Sequence, residues 1–227
     1  MSRVRRKKFD EVICLGDFVG YGAEPNQVLD VMRTMKGRKL YIRGNHDRVA
    51  AGFEDGEGFN HAARHAALWT RERLSAPNRR FLEKLPLGPL LRNGVMICHG
   101  TPHDEDEYVF NEQHARLVME QHDAPIILYG HTHMPVIFEM SPEGRIAGFA
   151  IRGDAIVRLD SRMRYLINPG SVGQPRDRNP QSSFMILDRG KLTVQFFRVE
   201  YDLEKTQMSI LRAGLPRILA DRLTHGT

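Results

Sequence analysis

Four short polar clusters in this chain place metal-binding residue types beside glycine, and each follows a run of apolar, β-prone residues. The clusters are Gly16-Asp17, Gly44-Asn45-His46-Asp47, His99-Gly100 and Gly130-His131-Thr132-His133. Strands that end in this way would bring Asp, Asn and His side chains to one edge of a sheet, where open α/β sheets bind ligands. The pattern therefore predicts a metal site.

The donor types narrow the class of metal. Imidazole nitrogens together with one carboxylate and one amide oxygen suit Mn, Fe, Zn, Co or Ni better than Ca or Mg, and affinity order does not choose among the five. Side chains alternate along an extended segment, so His131 and His133 are expected on the same side, serving one centre or two adjacent ones. Asp17 and Asn45 beside glycines could also be turn formers, but the presence of all four clusters favours the ligand interpretation.

Composition sets the limits on fold and partners. The chain has 227 residues, of which 41% are hydrophobic and 27% charged, which suits a single globular domain over residues 1–227. The net charge of +5 is spread along the chain apart from a basic run at Arg3, Arg5, Arg6, Lys7 and Lys8. The spread argues against a dedicated nucleic-acid groove. The basic run could be a phosphate-binding arm, but we favour the last turn of a helix, where cations complement the helix dipole.

Targeting signals and cysteines indicate the compartment. The basic start is not followed by the apolar stretch of a secretion signal, and nothing approaches the ~20 apolar residues of a membrane span, so we expect a cytoplasmic protein without membrane contact. Cys14 and Cys98 both lie in apolar, strand-like runs. They are interpreted as reduced core residues and not as ligands.

The order of predicted elements changes near residue 133. Before it, strands at 11–15, 40–43, 95–98 and 126–129 alternate with helices from residue 25 and at 61–74, 78–85 and 112–121. This βαβ order predicts a largely parallel sheet. After it, short strands at 136–140, 145–149, 155–159, 164–168, 184–188 and 192–199 predict an antiparallel half. Two facing sheets with helices outside would combine both halves. Residues 210–223, broken at Gly214-Leu215-Pro216, are expected to pack against them as helical structure.

The motifs in their order resemble the calcineurin-like metallophosphoesterases. Gly-Asp-x-Val-Gly-Tyr-Gly, Gly-Asn-His-Asp, His-Gly and Gly-His-Thr-His carry the resemblance, and each cluster alone would be a weak signal. Asn168-Pro-Gly-Ser171 is similar to the segment that follows in the small, single-domain phosphodiesterase branch. The resemblance implies a mixed α/β (α+β) fold, a four-layer α-β-β-α sandwich.

The resemblance also implies a role for each matching residue. Asp17 would bridge two metals, Asn45, His99 and His131 would complete the shell of the second metal, and His133 would bind the first. His46 is implied as the general acid that protonates the leaving oxygen, and Asp47 as a residue that orients its neighbours. A metal-held hydroxide would attack phosphorus in line while both metals stabilise the developing charge.

The start of the sequence departs from the family pattern. Family members begin with a strand that ends in Asp-x-His-Gly-Asn, whose Asp and His bind the first metal, whereas this sequence begins inside the helix that follows. One well-formed metal site and one incomplete site are therefore expected. A missing first strand would leave a sheet edge uncovered and favour a homo-oligomer. Either the true start lies upstream or the truncation is real, and the intact motifs after residue 11 favour an upstream start.

Two positions indicate the substrate class. Phosphoprotein phosphatases of the superfamily carry Asp-Arg where this chain has Gly20-Tyr21. Losing a bidentate guanidinium weakens recognition of a dianionic monoester more than that of a diester. We therefore predict a metal-dependent phosphoesterase acting on small phosphodiesters or nucleotides.

Two alternative functions remain open. The first is a non-catalytic metal-binding or scaffold protein of the same fold. The retained His46 favours the enzyme and the absent Asp-x-His favours the scaffold. The second is a nuclease, which would need a basic track that the sequence lacks.

Three further features carry weaker alternatives. His61 and His65 have the i, i+4 spacing of a helical metal pair, but this spacing is more often found in surface or packing residues. The acidic loop at 103–107 could line the substrate mouth or simply be solvated. Arg176 could contact a phosphate or lie on the surface.

Overall fold

The computed structural model describes residues 9–227, and these fall into two compact units. Among these residues, the first unit comprises 9–87 together with 204–220, and the second comprises 88–203 with 221–227. The basic run from Arg3 to Lys8, and the prediction of a helix end there, lie outside the described residues. In the part of the chain described, every helix is too short or too polar to cross a bilayer. The expectation of one domain remains a prediction.

A βαβ crossover begins the first unit. Strand β1 (Glu11–Cys14) pairs in parallel with β2 (Arg38–Tyr41), and helix α1 (Pro25–Thr34) connects them. The proline stands in the first turn of α1, where its missing N–H costs no helical hydrogen bond. Parallel pairing of these two strands was predicted from the alternation of strand and helix patterns.

Three helices complete the main part of the first unit. They are α2 (Asn45–Ala51), α3 (His61–Arg73) and α4 (Ala76–Glu83). The core beneath them contains Leu29 and Leu82, both fully buried, and Phe18, whose ring meets that of Tyr41 edge-on at 5.2 Å. This core holds the loop after β1 against the helices, and that loop carries Gly16-Asp17.

The second unit contains two sheets. A six-stranded sheet has the order β3-β4-β5-β9-β6-β7, and a three-stranded antiparallel sheet has the order β10-β11-β8. Their bounds are β3 Leu90–Arg92, β4 Val95–Ile97, β5 Ile126–Leu128, β6 Val136–Met140, β7 Ile146–Ala150, β8 Ala155–Arg158, β9 Arg164–Asn168, β10 Ser182–Asp188 and β11 Thr193–Val199. Strands β4, β5 and β9 are parallel to one another, and β6 and β7 run antiparallel. The prediction of parallel strands is confirmed for β4 and β5, and that of antiparallel strands for β6 and β7. Strand β9 was expected in the antiparallel half, but it pairs in parallel with β5 and antiparallel only with β6.

Helix α5 (Glu112–Gln121) covers the six-stranded sheet. Its Ala115 and Met119 pack with Ile127 and Leu166 in one buried cluster. Two further helices, α6 (Leu203–Arg212) and α7 (Ile218–His225), end the chain. The mixed α/β class predicted from the sequence is confirmed.

The structure differs from the sequence prediction at several places, and strand β3 is one element that was not predicted. Hydrogen-bonded ladders within residues 9–227 form three sheets and not two, because β1 and β2 pair with each other alone in that range. Helix α6 begins seven residues before the predicted start at 210. Helix α2 was not predicted, because the polar Asn-His-Asp triplet offers no apolar periodicity.

Candidate metal centre and catalytic residues

Asp17 lies in the first unit, in the loop that follows β1. Its backbone adopts the left-handed conformation, with φ of 53°, which a non-glycine residue keeps only when its surroundings hold it there. The Oδ1 atom of Asp17 accepts a hydrogen bond from the backbone N–H of His46 at 2.9 Å. The carboxylate is therefore held at the first turn of α2, where the helix dipole favours negative charge.

Asp47 joins the same loop to the same helix. The side chain is fully buried, and both of its oxygens accept backbone hydrogen bonds, Oδ1 from Val19 at 3.2 Å and Oδ2 from Gly44 at 3.1 Å. Gly44 is the residue before α2 and has extended backbone, so Asp47 caps the helix from its third position. Asn45, which is also buried, is consequently fixed as the first residue of α2.

His46 is buried between two aromatic rings. Its Nε2 atom lies 2.8 Å from the hydroxyl of Tyr21, and its ring centroid lies 4.3 Å from that of Tyr21 and 4.6 Å from that of Phe59. Gly20 packs directly against the imidazole, because a Cβ at this position would lie 2.7 Å from Nδ1 of His46. The Gly20-Tyr21 pair thus fixes the position of His46, a function that the sequence comparison did not assign to it.

The second unit holds three of the predicted ligands. His99 follows β4, while His131 and His133 follow β5, and all three are at least nine-tenths buried. The rings of His99 and His131 have centroids 5.0 Å apart. The N–H of Gly130 donates to the carbonyl oxygen of His99 at 2.7 Å, so the two neighbouring parallel strands carry their histidines to the same edge.

Backbone carbonyls determine which imidazole nitrogens carry hydrogen. Nε2 of His131 lies 3.1 Å from the carbonyl oxygen of Asp106, and Nδ1 of His133 lies 2.7 Å from that of Gln174. A carbonyl only accepts, so each of these nitrogens must be the N–H donor, and Nδ1 of His131 and Nε2 of His133 carry the lone pairs. Metal-binding histidines commonly use their second nitrogen in this way. The residues therefore fit a metal.

One argument made from the sequence is wrong. Residues 131 and 133 are not extended chain, because His131 has φ of 59° and His133 has φ of 60°, both in the left-handed region. Alternation along a strand therefore does not orient them, and the contacts with the Asp106 and Gln174 carbonyls do. Left-handed conformations at these two positions and at Asp17 each cost on the order of 1–3 kcal/mol, and such strain clusters at functional sites.

Asn168 supports the loop that carries His131 and His133. The fully buried amide donates from Nδ2 to the Gly130 carbonyl at 2.6 Å and to Thr132 Oγ1 at 2.9 Å, and its Oδ1 accepts from Gly170 at 2.8 Å. The Asn-Pro-Gly-Ser motif was the sequence signal for this residue. The backbone partners Asp106 and Gln174 had no such signal, because a carbonyl contact does not depend on side-chain type.

The structure shows the position and contacts of each weaker candidate from the sequence. His61 and His65 are exposed on α3, with ring centroids 6.4 Å apart. The guanidinium of Arg176 donates to Gln174 Oε1 at 3.3 and 3.1 Å and so supports the loop that contacts His133. In the acidic loop, the carbonyl oxygen of Asp106 contacts His131.

Comparisons with known proteins identify relatives over nearly the whole chain. The model of the calcineurin-like phosphoesterase superfamily domain matches residues 1–191. Uncharacterized protein MJ0912 of Methanocaldococcus jannaschii is 34% identical over 231 residues, which cover 100% of this chain and 90% of that protein. The crystal structure of a metallophosphoesterase from Sphaerobacter thermophilus is 33% identical with a TM-score of 0.86, covering 99% of this chain and 91% of that one.

A more distant structure shares the fold. Hypothetical protein PH1004 from Pyrococcus horikoshii is 20% identical with a TM-score of 0.75, and the match covers 99% of this chain and 88% of that one. Both structural matches agree with the mixed α/β architecture described above.

Proposed function

Because this chain belongs to the calcineurin-like phosphoesterase superfamily, we propose that it is a metal-dependent phosphodiesterase acting on small phosphodiesters or nucleotides. His133, together with Asp17, would bind the ion of an incomplete centre. Asp17 and Asn45 would supply the oxygen ligands of the one well-formed divalent centre, and His99 and His131 would supply its nitrogen ligands. This mixed set suits Mn, Fe, Zn, Co or Ni. The family relation and the hydrogen-bonded imidazoles of the second unit support the assignment.

The metal ions, when bound, would polarise the phosphoryl oxygens and activate water. The remaining chemistry belongs to the chain. His46 would donate a proton to the leaving oxygen, with its ring held by Tyr21 and Phe59. Asp47 would act through its hydrogen bonds to the backbone of Val19 and Gly44, which hold His46 beside Asp17.

The burial and contacts of His46 carry this proposal over that of a scaffold. The imidazole is only 4% exposed, its Nε2 meets a hydroxyl at 2.8 Å, and its backbone N–H bonds the Asp17 carboxylate. Burying a polar ring between aromatic side chains costs free energy unless its hydrogen bonds are satisfied. A protein that only binds partners gains nothing from an imidazole held in this way.

The side chains that surround His46 and His131 favour a phosphodiester that carries a planar group. Tyr21 presents a neutral hydroxyl where phosphoprotein phosphatases present a guanidinium, which reduces the attraction for a dianionic monoester. Tyr108 packs on His131 with centroids 3.9 Å apart and stacks in parallel with Phe110, which is 55% exposed. An exposed aromatic ring beside a ligand histidine suits stacking with a nucleobase. Cytoplasmic location and a homo-oligomer remain predictions from the sequence.

The test compares esters and variants in protein reconstituted with Mn²⁺. We expect turnover of bis-p-nitrophenyl phosphate well above that of p-nitrophenyl phosphate. His46→Ala should lower kcat for the diester by about 100-fold or more while the bound metal persists. His61→Ala, on the exposed face of α3, is the matched control and should retain full activity.

The outcomes separate the two functions. If the protein binds Mn²⁺ stoichiometrically but hydrolyses neither ester, the proposal of an enzyme is wrong and the non-catalytic scaffold protein is favoured. Full diester turnover in His46→Ala would show that the proton donor is another group. Faster turnover of the monoester would overturn the substrate class.

A further inference from the structure

A second pair of histidines lies in the second unit, apart from the residues discussed above. His103 stands on the exposed loop after β4, and His122 is the residue that follows α5. Their Nε2 atoms lie 3.1 Å apart, and their ring centroids lie 4.7 Å apart at an interplanar angle of 36°. His122 was assigned no function from the sequence, and His103 was considered there only as the first residue of the acidic loop.

The spacing of the two nitrogens limits what they can do. Two protonated imidazoles would repel each other at this distance, so the pair either shares one hydrogen or binds a common cation. Ligands at the usual Zn–N distance of about 2.0–2.1 Å, at neighbouring positions around one ion, are about 2.9–3.4 Å apart. The observed 3.1 Å falls within that range.

Hydrogen bonds hold the backbone near both histidines before any ion arrives. On the His103 side, Thr101 N–H donates to the Asp104 carbonyl at 2.8 Å, and Asp104 N–H donates to Thr101 Oγ1 at 3.1 Å. On the other side, Arg164 donates to the carbonyl oxygen of His122 at 3.3 Å. A pair of ligands ordered in advance loses little conformational entropy on binding.

The charges nearby favour a cation. Residues 104–107 after His103 are all acidic, and Asp123 follows His122, with Arg164 as its cationic partner at 3.4 Å. Desolvation, followed by the nearby His103, lowers the pKa of His122, while Asp123 acts in the opposite direction. At neutral pH the His122 imidazole is therefore mainly in the neutral form that binds metals.

We propose that His103 and His122 form a second, peripheral site for a divalent transition ion such as Zn²⁺, with water completing the shell. The ion would join the loop after β4 to the end of α5. That loop also carries the Asp106 carbonyl and the Tyr108 ring, both of which contact His131. Occupancy would thus reduce the motion of the segment that orients a proposed ligand of the main centre.

Equilibrium dialysis of the full, untagged chain against Zn²⁺ tests the site. The wild type should bind about one more zinc ion per chain than His103→Ala or His122→Ala. His114→Ala on α5 and His61→Ala on α3 are the matched controls and should bind as many ions as the wild type. Thermal melts without zinc will show that all four variants fold, which is expected because none of these side chains is buried.

Imidazole nitrogen NMR gives an independent measurement. Zinc should shift the Nε2 resonances of His103 and His122 together, and these shifts should vanish for the remaining ring in either single variant. Equal zinc stoichiometry in all five proteins, or Nε2 resonances that do not move at saturating zinc, would overturn the proposal in favour of a shared hydrogen. Neither readout depends on phosphodiester hydrolysis, so an inactive protein would still be informative.

Discussion

Substitution of Tyr21 by Phe tests the proposed role of His46 most directly. The change removes the hydroxyl that lies 2.8 Å from Nε2 of His46 and keeps the ring that packs at 4.3 Å on its imidazole. Phe59 still supports the opposite side at 4.6 Å. The variant therefore alters one hydrogen bond and leaves the packing of His46 in place.

The expected effect follows from the energy of that hydrogen bond. A neutral hydrogen bond contributes about 0.5–1.5 kcal/mol net, and one to a charged group about 1.5–3 kcal/mol. His46 changes charge during proton transfer, so we expect a loss of about 1–2 kcal/mol in the transition state. This corresponds to a kcat about 5–30-fold lower, because each 1.36 kcal/mol is about tenfold in rate. The loss should be smaller than that of His46→Ala.

The assay uses two diesters that differ in their leaving group. A proton donor matters more for an alkoxide than for p-nitrophenolate, which leaves readily without protonation. Tyr21→Phe should therefore slow the alkyl diester more than the p-nitrophenyl diester. Tyr165→Phe is the control, since that hydroxyl lies in the second unit and accepts a hydrogen bond from the backbone N–H of Asp160.

Two results would refute this reasoning. Equal slowing of both diesters would mean that Tyr21 acts on binding or folding and not on the proton donor. Wild-type rates for both would mean that the hydroxyl contributes nothing to His46 in the transition state. A normal melting temperature of Tyr21→Phe is required for either conclusion.

Three other predictions concern stability. The free energy of unfolding of His133→Gly should be about 1 kcal/mol higher than that of His133→Ala, because a backbone φ of 60° suits glycine. Urea denaturation measures both values, and the reverse order of stability would contradict the strain argument. Asn168→Ala should lose about 2–4 kcal/mol in the same assay, since it leaves buried partners unsatisfied, whereas a loss below 1 kcal/mol would show that water replaces the amide. Burial raises the pKa of the Tyr41 hydroxyl from 10.0 to about 12. The neutral hydroxyl therefore contributes fully to the free energy of unfolding below pH 10, and this contribution is lost as pH rises towards 12. The free energy of unfolding should fall there by at most about 1.4 kcal/mol per pH unit, and Tyr41→Phe should lessen this slope in pH-dependent melts.

The elements with strong periodicity could be predicted from local pattern alone. The predicted helix 112–121 and the predicted strands 136–140 and 164–168 have the bounds that the structure shows. Apolar residues repeat there with the period of the element, and burial of that face is what stabilises it. Helix α2 has no such period. Its start depends on the Asp47 carboxylate, which accepts hydrogen bonds from Gly44 and from Val19, and the second of these contacts joins segments 28 residues apart.

The sequence by itself determined the family, the mixed α/β class and the residue types available for metal binding. Those properties follow from short motifs in a fixed order, and each motif is a local feature of the chain. Tertiary structure alone decided how the side chains are oriented. Left-handed backbone at His131 and His133, their contacts with the Asp106 and Gln174 carbonyls, and the Tyr21 hydroxyl on His46 all depend on segments far apart in sequence. Backbone carbonyls are the same in every residue, so no pattern of side chains could have indicated which of them would face a histidine.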